Sequence, residues 1–321
     1  MAKRSFYVKD SELDDYQVKV INKKTDNSYI VKGCAGSGKS ILALWKAKQI
    51  QEGGKGSYLY VVYTKALRQY MSDGIKQIGL RESNVVNFDA CFQWGRNNYG
   101  ELQRGVWKKG SYDYVIVDEA QDFSRDDIEL LKSKARKALL VYGDTAQQLY
   151  KFLKDKQTVS MEDIQYFTKF PVEQLVFNHR LPKKIARVAQ YLNSESDELE
   201  ERCTEEGTEK PKILEYNTKQ EQFAAIANLI KNKGMEDVGI LFRNNKEVDE
   251  AYDYFTNKGI EVEAKSYRHK DELDFTSDNP KLMTYHSSKG LQFENVFIPE
   301  CTAEGADDRN PLYVAITRTY R

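Results

Sequence analysis

A stretch near the start of the chain has the residue types and spacing of a phosphate-binding loop. It follows the apolar run YIVKG and precedes the helical pattern ILALWKAKQI, the strand-loop-helix setting that such loops require. Glycines let successive backbone N–H groups point at phosphate oxygens, the lysine adds a full positive charge, and the final serine can bind Mg²⁺. The alternative is a glycine-rich turn without a ligand. The eight residues are Gly33, Cys34, Ala35, Gly36, Ser37, Gly38, Lys39 and Ser40.

Two adjacent carboxylates, Asp118 and Glu119, end a second apolar run in YDYVIVDEAQD. Ligands bind at the carboxyl ends of parallel strands, so both acids are expected at the edge where the phosphate loop lies. One carboxylate can hold Mg²⁺ and the other can take a proton from water, as phosphoryl transfer to water requires. The alternative is a pair of ordinary acids at the start of a helix. Together, the two motifs predict hydrolysis of a nucleoside triphosphate.

The elements that must position these motifs are short apolar runs, each followed by turn residues and a helical pattern. This arrangement is typical of α/β units with buried parallel strands. The runs form two sets, which predict two α/β lobes at residues 1–172 and 173–321. The acidic stretch 194–211 is predicted to be a solvated connection inside the second lobe. The runs lie at 29–33, 57–64, 112–120, 138–144, 212–216, 237–243, 260–264, 281–287 and 295–300.

Composition narrows the class of protein. The 321 residues are 40 % apolar, with 49 Lys and Arg against 49 Asp and Glu, which favours a globular chain and excludes disorder. Zero formal charge argues against an overall basic surface, so any site for nucleic acid must be local. Four scattered cysteines and three histidines give no support to a zinc site. Without an apolar run of membrane length or a secretion signal, a cytoplasmic protein with no membrane partner is expected.

In order along the chain, these and further segments resemble the motifs of the superfamily 1A helicases, the UvrD, PcrA and Rep group. That resemblance implies two RecA-like lobes with parallel sheets and a cleft between them for ATP and Mg²⁺. It also implies roles for single residues: Gln147 would sense the γ-phosphate, and Arg180 and Arg318 would reach it from the second lobe. The matching segments are LDDYQ, GCAGSGKS, VDEAQD, VYGDTAQQLYKF, LVFNHR, TYHSSKGLQFENVF and LYVAITR.

By the same resemblance, further residues contact the nucleotide. Gln17 would read the adenine edge. His179 stands where the family has a tyrosine that stacks on adenine, and Gln292 stands where it has a glutamate that contacts ribose. The complete predicted nucleotide set is Gln17, Gly33, Gly36, Ser37, Gly38, Lys39, Ser40, His179, Gly290 and Gln292, with Ser40 and Asp118 as the Mg²⁺ ligands.

The resemblance also places a track for single-stranded nucleic acid. Aromatic side chains that stack on bases contribute about 1 to 3 kcal/mol per base whatever the base, so the implied binding tolerates any sequence. The two aromatic residues, Tyr150 and Phe152, could instead belong to the core at the interface of the lobes. Asp89 stands where the family has a histidine of motif Ib. The predicted contacts are Thr64, Lys65, Tyr150, Phe152 and His286.

The sequence thus predicts an ATP-dependent motor on single-stranded DNA, with RNA as an alternative strand. The two insertions that family helicases carry are small or missing here, which leaves room for a protein partner. A nucleotide-dependent switch that licenses such a partner, without processive unwinding, is therefore the rival hypothesis. A small-molecule kinase or GTPase is disfavoured, because the arginine motifs of the second lobe would then have no role.

Overall fold

The structure is a computed structural model that describes residues 10–149, 157–192, 198–303 and 305–320, without the side chains of residues 306 and 307. The chain divides into two compact units, Met1–Val176 and Phe177–Arg321. The division lies after Val176 rather than after residue 172, because the strand Val172–Leu175 pairs within the first sheet.

The first unit is built on a parallel sheet of six strands in the order β3-β2-β6-β7-β1-β8. Its main strands are short runs of buried Val, Ile, Leu and Tyr, the pattern of a sheet with both faces covered. The strands are β1 (Tyr29–Gly33), β2 (Tyr58–Val62), β3 (Val85–Asn87), β4 (Phe92–Arg96), β5 (Leu102–Trp107), β6 (Tyr112–Val117), β7 (Ala135–Gly143) and β8 (Val172–Leu175). The helices are α1 (Asp15–Asn22), α2 (Lys39–Glu52), α3 (Lys65–Tyr70), α4 (Ser72–Ile78), α5 (Arg125–Lys134) and α6 (Met161–Thr168).

Strands β4 and β5 form a separate antiparallel hairpin between β3 and β6 along the chain. Much of it is exposed, yet Arg104 fixes it to the body of the unit. The guanidinium donates to Asp89 through Nη2 at 2.8 Å and to Asp127 through Nη1 at 3.1 Å. It also lies 4.7 Å from the ring centre of Phe88. The acid at position 89 therefore has a structural partner in this hairpin.

The second unit has a parallel sheet of four strands in the order β10-β11-β9-β12. Its core comprises buried side chains of β9, β11 and the helices α9 and α10, which cover the sheet. The strands are β9 (Val238–Phe242), β10 (Glu263–Lys265), β11 (Lys281–Thr284) and β12 (Asn295–Phe297). The helices are α7 (Lys183–Ala189), α8 (Leu199–Arg202), α9 (Lys219–Lys233), α10 (Asn245–Asn257) and α11 (Ala306–Ile316).

The predicted α/β class, with two lobes built on parallel sheets, is confirmed. The predicted strand at 212–216 is wrong: this segment is in no sheet, and Ile213 is 89 % exposed. Lys212 and Glu215 interrupt its apolar residues, so it has no continuous face to bury. Among the described helices, none is both long and apolar enough to cross a bilayer.

Candidate nucleotide site

The phosphate loop joins the end of β1 to the start of α2. Gly36 and Gly38 have left-handed backbones, with φ of 79° and 86°, a conformation that favours glycine. The ammonium group of Lys39 is buried and donates to the carbonyl oxygens of Gly33 at 2.8 Å and Cys34 at 2.9 Å. These are loop carbonyls that a lysine can exchange for phosphate oxygens. The loop therefore has both the backbone shape and the charge for a polyphosphate.

Gln17 lies against the loop because of the way α1 begins. Asp14 and Gln17 form a capping box, in which Asp14 accepts from the Gln17 N–H at 2.8 Å and the Gln17 side chain accepts from the Asp14 N–H at 3.1 Å. The Gln17 amide then donates to the carbonyl of Ser37 at 3.1 Å. A side chain at Gly38 would place its Cβ 2.8 Å from this amide, so position 38 requires glycine for space as well as for backbone shape.

Asp118 emerges from β6 at the carboxyl edge of the sheet, between β2 and β7. It is fully buried, and this burial, followed by the charge of Glu119, raises the pKa of its carboxyl to about 6. The Ser40 hydroxyl lies close to the same carboxylate and opposes the rise in its pKa. The two residues predicted as Mg²⁺ ligands are thus neighbours in the structure.

A chain of hydrogen bonds connects Glu119 to the strand end after β7. The Gln121 amide donates to the Glu119 carboxylate at 2.5 Å, and its carbonyl accepts from the Asp144 N–H at 3.0 Å. The Asp144 carboxylate accepts from the Gln147 amide at 2.7 Å. Burial raises the pKa of Asp144, while the charge of Lys39 opposes this rise. Gln147, the predicted sensor, is therefore tied to the carboxylate predicted to activate water.

These residues fit a triphosphate with Mg²⁺. The buried Ser37 hydroxyl has no hydrogen-bond partner within the described residues, which suits a group prepared for a ligand. In the described ranges, no three acidic, histidine or cysteine side chains form a cluster that could hold a metal by themselves. Mg²⁺ needs no such cluster, since it usually combines one or two protein ligands with phosphate oxygens and water.

The arginines of the second unit meet at Thr317. Arg180 donates to the Thr317 carbonyl at 3.0 Å, and Arg318 donates to the Thr317 hydroxyl at 3.0 Å. Asn178 fixes the loop before α7, because its side-chain oxygen accepts from the N–H of Arg180 at 3.0 Å. His179 lies on this same loop and is half-buried. The fold of this unit thus brings together two residues that are far apart in the sequence.

The predicted contacts to nucleic acid occupy different units. Thr64 follows β2 and caps α3, accepting from the Leu67 N–H at 3.1 Å, and Lys65 beside it is exposed. His286 belongs to the second unit, where burial, assisted by the charge of Lys289, lowers the pKa of its imidazole. Two predicted contacts, Tyr150 and Phe152, lie outside the described residues.

The remaining two predicted nucleotide contacts follow His286 along the chain. Gly290 has a left-handed backbone with φ of 78°, and Gln292 is half-buried.

Two segments of the chain match known protein families. A family model described as UvrD-like helicase C-terminal domain matches residues 281–321, and one described as AAA domain matches residues 17–153. Residues 281–321 are thus similar to the C-terminal domain of the UvrD-like helicases, in agreement with the resemblance of the motifs. No curated protein matches this sequence.

Two solved structures of arterivirus nonstructural protein 10, a helicase, are similar to this chain. One aligns with 95 % of this chain and 60 % of its own, at 16 % identity and a TM-score of 0.41. A second, in complex with DNA, aligns with 95 % of this chain and 61 % of its own, at 16 % identity and a TM-score of 0.46. The chain thus spans about three fifths of the length of those proteins.

Three residues of the site were not predicted from the sequence: Tyr60, Gln121 and Asp144. Gln121 and Asp144 lie within segments already recognised as motifs, so their position beside Glu119 and Gln147 was a usable signal. Tyr60 lies mid-strand in β2, and its hydroxyl donates to the Asp118 carboxylate at 3.0 Å. It gives no such signal, because this contact depends on which strand is paired with β2.

Proposed function

We propose that the protein is an ATP-driven motor that moves on single-stranded nucleic acid and hydrolyses ATP with Mg²⁺. The support is the set of groups at one sheet edge of the first unit: the phosphate loop, the Ser40–Asp118 pair and the chain from Glu119 to Gln147. A phosphate loop alone would serve many reactions. A buried carboxylate, positioned by hydrogen bonds beside that loop, is what hydrolysis additionally requires.

In the proposed reaction, the loop N–H groups and Lys39 bind the phosphates, while Ser40 and Asp118 hold Mg²⁺. Bound Mg²⁺ would neutralise charge on the phosphate oxygens. The Glu119 carboxylate orients a water and accepts its proton as the water oxygen bonds to the γ-phosphorus, while the bond from that phosphorus to the bridging oxygen breaks and ADP leaves. Gln121 fixes that carboxylate by donating to it at 2.5 Å. The side-chain oxygen of Gln121 also accepts from the Asp144 N–H, so the positions of Glu119 and Asp144 are linked.

The proposal assigns the arginines to the same reaction. In this reaction, Arg180 and Arg318 would donate to the γ-phosphate and stabilise the charge that develops there. Cycles of ATP binding and hydrolysis, coupled to a strand held by Thr64, Lys65 and His286, would produce movement.

The direct test is the ATPase rate of the wild type, Lys39→Ala and Glu119→Gln. Each protein is assayed with single-stranded DNA, single-stranded RNA, duplex DNA and no polymer. We expect a single strand to stimulate the wild type and both substitutions to abolish the stimulated rate. Equal rates in all three proteins would remove the enzyme assignment, and equal rates with all polymers would remove the single-strand assignment.

A second assay separates a motor from a nucleotide switch. A motor displaces streptavidin from a biotinylated oligonucleotide in the presence of ATP, and Glu119→Gln does not. A switch that licenses a protein partner hydrolyses ATP without displacement. Displacement by the wild type would therefore support movement along the strand, and its absence alongside normal ATPase activity would favour the switch.

A further inference from the structure

A tyrosine in the middle of the first sheet contacts the carboxylate of Asp118. Tyr60 lies on β2, is fully buried, and donates its hydroxyl hydrogen bond to Asp118 Oδ2 at 3.0 Å. The other carboxylate oxygen, Oδ1, accepts from the N–H of Glu119 at 3.0 Å. Both oxygens of this buried carboxylate are thus held by the protein, each with lone-pair capacity left for a further ligand.

Strand register explains how a mid-strand residue reaches the end of the neighbouring strand. Tyr60 pairs with Ile116 of β6, so both side chains leave the sheet on the same face. Asp118 follows Ile116 by two residues and therefore lies on that face as well. The length of the phenol ring spans the remaining distance. A shorter apolar residue at position 60 would pack in the sheet without touching Asp118.

The hydroxyl has a function that packing does not require. Phenylalanine would fill the same volume, and most buried hydroxyls in proteins have a hydrogen-bond partner. Tyr142 on β7 is an equally buried tyrosine, but its hydroxyl has no hydrogen-bond partner within the described residues. Tyr60 is thus hydrogen-bonded to the residue proposed to hold the metal, whereas Tyr142 provides a matched tyrosine in the same sheet.

We infer that Tyr60 is a positioning residue that orients the Asp118 carboxylate for Mg²⁺, an inference that rests on the proposed function. Its hydrogen bond to Oδ2 restricts rotation of the carboxylate and directs its remaining lone pairs toward the edge where Ser40 lies. Partners of this kind set how well a ligand group is aligned before the metal arrives, and their loss typically lowers metal affinity about 10- to 100-fold.

The test compares Tyr60→Phe with Tyr142→Phe, each of which removes one buried hydroxyl from the same sheet. The affinity for a fluorescent, non-hydrolysable ATP analogue is measured across a Mg²⁺ titration and again in EDTA. For Tyr60→Phe we expect half-saturation at about 10- to 100-fold more Mg²⁺ and unchanged affinity in EDTA. Tyr142→Phe should match the wild type in both conditions.

The outcomes separate the inference from the function on which it rests. A Mg²⁺ titration of Tyr60→Phe that coincides with the wild type would overturn the role of Tyr60 and leave the proposed function intact. A wild type that shows no Mg²⁺-dependent nucleotide binding would overturn both. Equal weakening with Mg²⁺ and in EDTA would indicate general structural damage and also count against the role.

A double variant keeps the inference testable if Tyr60→Phe alone is poorly stable. If the hydroxyl acts through the carboxylate, adding Tyr60→Phe to Asp118→Asn should not change the residual Mg²⁺ dependence. An additive loss would show that Tyr60 acts by another route and would overturn the inference.

Discussion

Gln121 joins two parts of the site that the sequence presents as separate motifs. Its amide holds the Glu119 carboxylate, and its carbonyl holds the backbone of Asp144, which in turn holds Gln147. The approach is close: a Cβ at Gly143 would lie 2.6 Å from the Gln121 side-chain oxygen. One side chain therefore fixes the spacing between the proposed base and the proposed sensor.

Replacing Gln121 by Ala should lower the ATPase turnover because both partners lose a buried hydrogen bond. Such a loss costs about 1 to 3 kcal/mol, and each 1.4 kcal/mol at the transition state is about tenfold in rate. Steady-state kinetics should show the fall in kcat, with Gln51→Ala as a control, since Gln51 bonds to Tyr58 and Gly79 elsewhere in this unit. A Gln121→Ala turnover equal to that of the Gln51→Ala control would contradict this role.

Residues such as Lys39, Asp118 and Glu119 could be recognised from the sequence because the residues next to them predict the local backbone structure. A strand, a glycine pattern and a helix start fix where a phosphate loop must lie. Tyr60 could not be recognised in this way, since its contact with Asp118 arises from the pairing of β2 with β6, which are far apart in the chain. Local patterns do not encode such register.

At the level of elements, the hairpin of β4 and β5 is fixed to the unit by Arg104 and by the rings of Phe92 and Trp107, which pack on Phe88. Arg104 reaches two carboxylates on different elements, Asp89 after β3 and Asp127 in α5, and packs over the ring of Phe88. A two-stranded hairpin is marginally stable in water without such contacts. The acid at position 89, unexpected from the family resemblance, is explained by this contact.

Arg104→Ala should lower the free energy of unfolding by about 1 to 3 kcal/mol, because two carboxylates lose their partner and the Phe88 ring loses its cover. Urea unfolding provides the measurement. The control is Arg125→Ala, which removes an exposed pair with Glu129 and a contact 5.1 Å from the ring centre of Phe167, and should cost at most about 1 kcal/mol. Equal effects of the two substitutions would show that the hairpin is fixed by other contacts.

Element prediction succeeded for the buried strands β1, β2, β6 and β9, whose runs are mostly apolar. A strand covered on both faces favours apolar residues at nearly every position. Residues 212–216 have strand-forming types but lie exposed, because burial of a strand depends on a neighbouring strand edge. Whether a strand edge is available depends on the whole folded sheet, so the residues of one segment do not predict it.

At the level of the whole molecule, the proposed reaction needs residues of both units. The first unit contains the phosphate loop and the acids, and the second contains Arg180 and Arg318, which meet at Thr317. A reaction shared in this way makes nucleotide binding and nucleotide hydrolysis separable by substitution, because only hydrolysis requires the arginines.

Arg180→Ala should therefore lower the ATPase turnover about 10³-fold or more, the usual effect of losing an arginine that stabilises the transferring phosphoryl group. Affinity for a non-hydrolysable ATP analogue should change far less, since the phosphate loop is intact. Arg187→Ala, which removes an exposed arginine paired with Glu200 in the same unit, is the control for both measurements. Wild-type turnover in Arg180→Ala would exclude this arginine from the reaction.

The backbone of Glu119 has a consequence for attempts to make the protein more robust. This residue has a left-handed conformation, with φ of 55° and ψ of 44°, which glycine or asparagine adopts at lower cost than glutamate. Selection of random variants for heat resistance alone would therefore favour replacements at this position that remove the proposed base. A laboratory evolution programme would need to select for ATP turnover at the same time. Otherwise its most heat-resistant variants would lack ATPase activity.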